Sequence, residues 1–552
     1  MRVKLRPGAH FVPVARGLHC ARADRAFVLS APPSVQRLLD DRLGDLTDGA
    51  DTADLLGPVA DPAERAALRQ VLAALLGQGL LFDPDRAGGP VPDPGTAERY
   101  AESLAHYEEH CAEPYAAFAA LRAAEVAVLG TGPAARSATR GLLRLGVGTV
   151  TDRPGPGAAA AVLAAAAPAD LPALAALLPP GTPYVPVADG DGHRTVGPLL
   201  RGVPQARAFR DAAERAAAWS RSHPAGRAPA VHAAALAGSL AARTVLDHLG
   251  ATGLDTPDLR LVHGRTLRTT PHPFAPRPDA PRWSPVPGGA PARPDDPADP
   301  DGALTAPWSG LGQWRDDLEL PRLPFRLAAL EAVALPDRPL LVGWGTEAED
   351  ARRDALLRLL RATAGHAGTQ DGRPGTAAAG TTPRRWLLDG LLRVLAAEQQ
   401  DDGPPLPDDA TATPLARSLR RALTHYFDQP ARLHHRTLPG TGWTLVTVAR
   451  TDTGERLARQ WAPSARAAAQ NALARALAGL QQDLVPFPAP TVGTRALEWA
   501  DPAELAALEA ALRSPGVLRG RTVHAHRLAT DPVLGPLPLP CGLVRLTTPD
   551  EP

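Results

Sequence analysis

The sequence predicts an α/β protein in three parts, and three observations predict it. Residues 126–152, VAVLGTGPAARSATRGLLRLGVGTVTD, read as a strand, a glycine turn, a helix and a second strand ending in an acid, which is how nucleotide-binding α/β folds open. Short strand-like runs and helical runs alternate through the regions on either side. Between two of these regions lies PHPFAPRPDAPRWSPVPGGAPARPDDPADPDG, a proline-rich stretch that reads as a linker.

The 552 residues suffice for about two to four domains. Hydrophobic residues make up 44%, and 59 basic residues balance 59 acidic ones. A globular chain follows, with no electrostatic case for nucleic acid or a membrane surface. Cys20, Cys111 and Cys541 are scattered and odd in number, which points to a reducing cytosol rather than a disulfide scaffold. No apolar run reaches membrane-spanning length, and no signal-peptide h-region opens the chain. Lys4 is the only lysine. Any mechanism that needs a lysine beside a phosphate is thereby removed.

Residues 1–84 form the first unit. HFVPVA, LHCARA and RAFVLS are strand candidates separated by Gly17 and Asp24. Helices are expected to open at Ser34, at Thr52 and at Asp61-Pro62, the last with an aspartate N-cap and a proline at the first helical position. Leu68, Val71, Leu72, Leu75 and Leu76 give that third helix one apolar face. GLLFDPD reads as a closing strand. Strands followed by three short helices resemble a winged helix-turn-helix, yet the third helix offers only Arg65 and Arg69 beside Glu64 and no basic stripe for DNA. Residues 96–122 read as a linking helix. From 125 to about 275 the pattern is α/β: the glycine-turn stretch, an Ala-rich helical region at 158–178, the strand TPYVPVADG, and helices at 204–220 and 229–249. Residues 276–303 are the linker. Residues 304–552 alternate strands (LLVGWG, GWTLVTVART) with helices (EAEDARRDALLRLLRAT, ARAAAQNALARALAGLQQ).

The glycine turn is the first candidate site. Gly130 and Gly132 would let the backbone approach a phosphate, Pro133 at the helix start leaves amides aimed at it, and Asp152 could accept from ribose hydroxyls. A strand–turn–helix that needs small residues only for packing explains the same residues. HYEEH (106–110) matches the H-x-x-E-H zinc pattern, and His106 and His110 lie one helical turn apart. The segment shows no third ligand, however. LHHR (433–436) has no spaced partners either.

In its order of units the chain resembles the leader-binding proteins of thiazole/oxazole-modified microcin biosynthesis, and the resemblance covers nearly the whole length. LRPGAHFVPVARGLHCARADRAFVLSAP and RQVLAALLGQGLLFD resemble a PqqD-like recognition element for ribosomally made, post-translationally modified peptides (RiPPs). EVAVLGTGPAARSATRGLLRLGVGTVTD, RTVGPLLRGVPQARAFRDAAERAAAW and TTPHPFAP resemble a ThiF-like Rossmann-type domain (96–275). In zinc-bearing relatives, cysteine pairs follow the V-G-P-L and P-H-P landmarks. Here those places read Pro204-Gln205-Ala206-Arg207-Ala208 and Phe274-Ala275-Pro276, so a Cys₄ zinc site is not expected. ThiF-like enzymes hold ATP with Lys and Arg and an Asn/Arg-rich loop, whereas DRPGPGAAAA follows the second strand here. The third part resembles a YcaO α+β domain. Where active relatives carry Mg²⁺-binding glutamates, this chain has Arg358 and Arg361, and Gly479 beside a retained Gln482. DPVLGPLPLP is similar to the proline-rich YcaO end, though the chain runs on to Pro552.

The resemblance implies a non-catalytic scaffold. It would bind a precursor leader and present the core to a separate YcaO cyclodehydratase, which itself uses ATP and Mg²⁺ to turn Cys, Ser or Thr into azolines. The scaffold needs no cofactor or metal. An azoline dehydrogenase is a further partner, and a homodimer an assembly, that the resemblance admits. The leader would add a strand to the third strand's edge. Arg25, Phe27 and Leu29 are the strand candidates, and Arg65, Leu68, Arg69 and Leu72 the helix candidates, with core packing the competing role for the apolar ones. Two other readings stand beside it. A fused ATP-dependent cyclodehydratase would release ADP or AMP unaided, and a winged-helix regulator would shift DNA on a gel.

Overall fold

Alternating apolar residues near the start of the chain build a sheet with one covered face. In the computed structural model, His10–Val14, Gly17–Arg22 and Arg25–Leu29 form a three-stranded antiparallel sheet in that order. Leu18 and Cys20 are buried beneath it. The structure describes residues 1–15, 17–22, 25–190, 192–222, 231–254, 257–274, 282–285, 300–321, 323–399, 401–481, 492–531 and 533–548. It divides into two compact units. One holds residues 1–214 and 224–272, and the other holds 215–223 and 273–552.

In the first unit an additional strand, Arg2–Leu5, pairs with both Ala50–Asp51 and Leu81–Phe82. The expected helix after Ser34 is two helices, Pro33–Asp40 and Leu43–Asp48. The helix near Thr52 is capped by Asp51, whose carboxylate accepts from the Ala53 amide at 2.9 Å. Pro62–Gly77 starts as predicted, with the Asp61 carboxylate accepting from the Ala63 amide at 2.9 Å. The linking helix expected at 96–122 is three helices, Pro94–Arg99, Ala101–His110 and Pro114–Ala123. Pro94 and Pro114, which cannot continue a preceding helix, each open a new one. Tyr107, Tyr115, Phe118 and Leu121 are buried in the unit's core.

The larger sheet of this unit runs in the order Thr269–His272, Leu259–His263, His193–Val196, Pro183–Gly190, Ala160–Ala165, Glu125–Gly130, Thr149–Thr151, with Leu200–Arg201 paired beside Pro183–Gly190. The last four of the seven are mutually parallel. The Ala-rich region 158–178, expected to be helical, is instead the strand Ala160–Ala165 followed by the helix Leu171–Ala176. Every residue of that strand is buried. Alanine's helical preference is worth under about 1 kcal/mol per residue, and a place between two parallel partners outweighs it. The helices Gly132–Leu145 and Val231–Leu249 cover one face, and a Cβ on Gly238 would fall 2.2 Å from the Ala134 carbonyl oxygen. The helix Gly202–Ser222 supplies residues up to Glu214 to the first unit and from Arg215 to the second.

The second unit has three main sheets. Trp283–Pro285, Thr522–Leu528, Cys541–Thr547 and Thr376–Ala379 form one. Gln313–Trp314, Arg326–Glu331 and Leu340–Gly345 form another. Ala431–Thr437, Thr444–Arg450, Arg456–Ala462 and Val492–Gly493 form the third. Between them run the helices Ala348–Gln370, Pro383–Ala397 and Ala465–Leu480, with Trp386 and Trp461 fully buried. Most of the stretch read as linker, 276–303, lies outside the described residues. Within it, Trp283–Pro285 is a paired strand and Pro300–Thr305 a helix. The proline-rich segment before Cys541 leads directly into a strand of the sheet, and Leu537 is buried. Arg215 makes a two-pronged buried ion pair with Asp531, both distances 2.8 Å. No described helix is long and apolar enough to cross a membrane.

Candidate functional site

The second unit contains a cavity of about 330 Å³. The helix Ala348–Gln370 carries Asp350, Arg353, Asp354, Arg358 and Arg361 along its wall, and Pro383–Ala397 carries Asp389 and Arg393. Both helices set an aspartate one turn before an arginine, the spacing that brings two side chains together on a helix face. Asp354 accepts from Arg358 Nε at 3.0 Å, and Asp389 from Arg393 Nε at 2.7 Å.

Asp389 is the hub. It also accepts from Arg361 through Nε at 2.9 Å and Nη2 at 3.2 Å, from the Ala379 amide at 2.9 Å, and from the Thr494 hydroxyl. Burial alone would favour its neutral form. Arg361 and Arg393 overcome that and hold it ionised, at about 2. Burial, with Arg361 close by, brings Arg393 down to about 10. Asp354 is likewise held below the usual carboxylate range, against burial, by Arg358. Arg495 donates to the Trp344 carbonyl at 2.6 Å and to Asp350 at 3.1 Å, and its guanidinium lies 4.6 Å from the centre of the Trp344 ring. Glu498 accepts from the Thr381 hydroxyl at 2.5 Å.

Arg358 and Arg361 are thus brought together in one site. Gly479 lies on the helix Ala465–Leu480 outside the cavity wall, and Gln482 is outside the described residues. Three of the four carboxylates lining the cavity are ion-paired with arginine, and the fourth is hydrogen-bonded. A hard divalent cation needs carboxylate oxygens. It would have to displace these guanidinium groups and sit among five arginines. The donor set does not fit Mg²⁺.

The glycine turn of the first unit sits where strand order reverses, because Glu125–Gly130 lies between Thr149–Thr151 and Ala160–Ala165. Gly130 has φ +109°, and a Cβ there would fall 1.9 Å from the Ala164 carbonyl oxygen. Close packing therefore already demands this glycine. Gly132 has φ +93° and open space around it, and Asp152 is exposed after its strand. Lys4 ion-pairs with the buried Glu108 at 2.7 Å. His106 is held by Asp247 at 2.6 Å and by Arg243 at 2.8 Å. Burial lowers the His110 imidazole. Among the described residues, no group of three or more His, Cys, Asp or Glu is placed to hold a metal.

Arg25, Phe27 and Leu29 lie on the outer strand of their sheet, Arg25 exposed and the other two half-buried. Leu68 and Leu72 are core residues, 1% and 4% exposed. Arg65 donates to the Val59 carbonyl at 2.9 Å, and Arg69 is exposed. Arg22 ties this sheet to the end of Pro62–Gly77 by donating to the Gly79 carbonyl at 2.6 Å. Asp354, Asp389, Arg393 and Arg495 escaped the sequence reading. The four-residue Asp–Arg spacing was the signal for the first three.

No protein-family model and no curated protein matches the sequence. Among solved structures, a heterocyclase in complex with substrate and cofactor aligns at TM-score 0.54 and 12% identity, over 99% of this chain and 94% of that one. The heterocyclase TruD aligns at 0.52 and 12%, over the same shares. The chain has the fold of these heterocyclases. E. coli MccB with MccA-N7isoASN aligns at 0.34 and 12%, over 49% of this chain and 96% of that one.

Proposed function

We propose that this chain is a non-catalytic subunit of RiPP biosynthesis. It binds the leader of a precursor peptide on a winged-helix recognition element at 1–84 and presents the core to a separate ATP-dependent YcaO cyclodehydratase. Its own ThiF-like and YcaO-like regions keep the fold without the reaction. The observation that carries this reading is the state of the cavity carboxylates. Asp350, Asp354 and Asp389 are bound to Arg495, Arg358, and Arg361 with Arg393, so they are not available to position magnesium and phosphates. The outer edge of Arg25–Leu29, which has no strand partner among the described residues, supports strand addition by the leader, which would gain backbone hydrogen bonds there. Arg25 and Arg69 would meet acidic leader residues.

A scaffold raises its partner's rate by tethering the core at an effective concentration that reaches roughly millimolar for short flexible linkers. The test is reconstitution. Labelled leader should bind the full chain in fluorescence polarisation, and the partner enzyme should cyclise the precursor only when this chain is present. Equal cyclisation without it would reject the reading. The rival, a fused ATP-dependent cyclodehydratase, draws on the likeness to heterocyclases along 99% of the chain. It requires ATP turnover by this chain alone.

A further inference from the structure

The cavity of the second unit is not closed by its own ion pairs. Among its described lining residues, five arginines face three aspartates and one glutamate, and Arg353 is also paired with Glu349 outside the wall at 2.9 Å. Arg361 gives Nε and Nη2 to Asp389, and Arg393 gives only Nε. Arg361 Nη1 and both terminal nitrogens of Arg393 therefore have no hydrogen-bond partner in the described protein, on side chains only 16% and 13% exposed. These nitrogens belong to residues on the cavity wall, where an anionic acceptor would form charge-assisted hydrogen bonds with them. Apart from Gln460 and Thr494, the rest of the wall is apolar. Leu341, Val342, Leu357, Val492 and Leu497 line it, with Trp344 and the half-exposed Trp499 as flat surfaces. Pockets that take small organic molecules begin at about this volume and combine an apolar wall with a few fixed polar groups.

We propose that this cavity binds a small organic anion, a planar apolar body carrying one carboxylate or phosphate group, with guanidinium groups serving in place of a divalent cation. The anionic group meets the open donors of Arg361 and Arg393, and the body lies against the leucines and the Trp344 face. The site is independent of leader binding, which uses the other unit.

Titration calorimetry of the full chain in EDTA tests it with three probes: 2-naphthoate, 2-naphthyl phosphate and the neutral 2-naphthamide. At least one anion should bind one per chain, about tenfold or more tighter than the amide, and magnesium should leave that affinity unchanged. The tighter of the two anions identifies the group as carboxylate or phosphate. Arg393→Met, which removes the donors, and Ala362→Phe, which fills the cavity from its wall, should each weaken binding about tenfold or more. Arg393→Lys should retain most of it. Should Arg393→Met fail to fold, Arg393→Lys and Ala362→Phe carry the comparison. Amide binding equal to the anions, no anion binding at millimolar concentration, or full binding by Ala362→Phe would overturn the proposal.

Discussion

Replacing Asp389 with asparagine removes the charge that two buried arginines share while keeping nearly the same shape. A fall from 3.8 to about 2, at about 1.4 kcal/mol per unit, corresponds to about 2 kcal/mol of stability at neutral pH. Leaving a buried charge without its partner typically costs about 3–5 kcal/mol. Asp389→Asn should therefore destabilise the second unit by about 2–5 kcal/mol. With a urea slope near the upper end of about 1–3 kcal/mol/M for a unit of this size, its midpoint should fall by roughly 1–2 M. All nine tryptophans belong to this unit, so tryptophan emission follows it without interference from the other. The pH dependence has a definite sign. The folded-state value is depressed, so the contribution is complete above about pH 4 and is lost as pH falls through about 2. The gap between wild type and variant should narrow below pH 4. An unchanged midpoint at pH 7, or a gap that persists undiminished in acid, would show that the Asp389 charge does not stabilise the fold.

Gly130→Ala should destabilise the first unit by about 3 kcal/mol or more, because strain and a backbone clash add, while Gly132→Ala should cost about 1 kcal/mol. Hydrogen exchange of peptides from 125–145 reads both. Arg215→Met should strand Asp531 and lower the second unit's stability by about 3–5 kcal/mol, again by tryptophan emission. Phe27→Asp should weaken leader binding about tenfold or more and slow the partner's cyclisation in parallel, with polarisation and product formation as the two readouts.

The sequence made the glycine turn and its flanking strand and helix legible because a tight turn at a sheet's switch point admits few residue types. Gly130, pressed against Ala164, is the clearest case. The strand Ala160–Ala165 was not legible. Its composition favours a helix, and only its two parallel neighbours, distant in sequence, make it a strand. The core residues of Pro62–Gly77 followed from periodicity, but periodicity does not distinguish a leucine that packs inward from one that meets a peptide. In the cavity, Arg358 and Arg361 stood out as arginines at places where the family resemblance implies carboxylates. Their partners Asp354 and Asp389 could have been found one turn before Arg358 and Arg393. Thr494, Arg495 and Trp499 reach the same cavity from more than a hundred residues away, and no local pattern announces that convergence.

ATP turnover by the purified full chain, with precursor peptide and magnesium present and no partner enzyme, decides whether the chain catalyses. No ADP, AMP or phosphate should be released above buffer, with or without peptide. Turnover by the chain alone, lost on Asp389→Asn in the cavity or on substitution within Gly130–Gly132, would contradict the scaffold role and make the chain an enzyme in its own right.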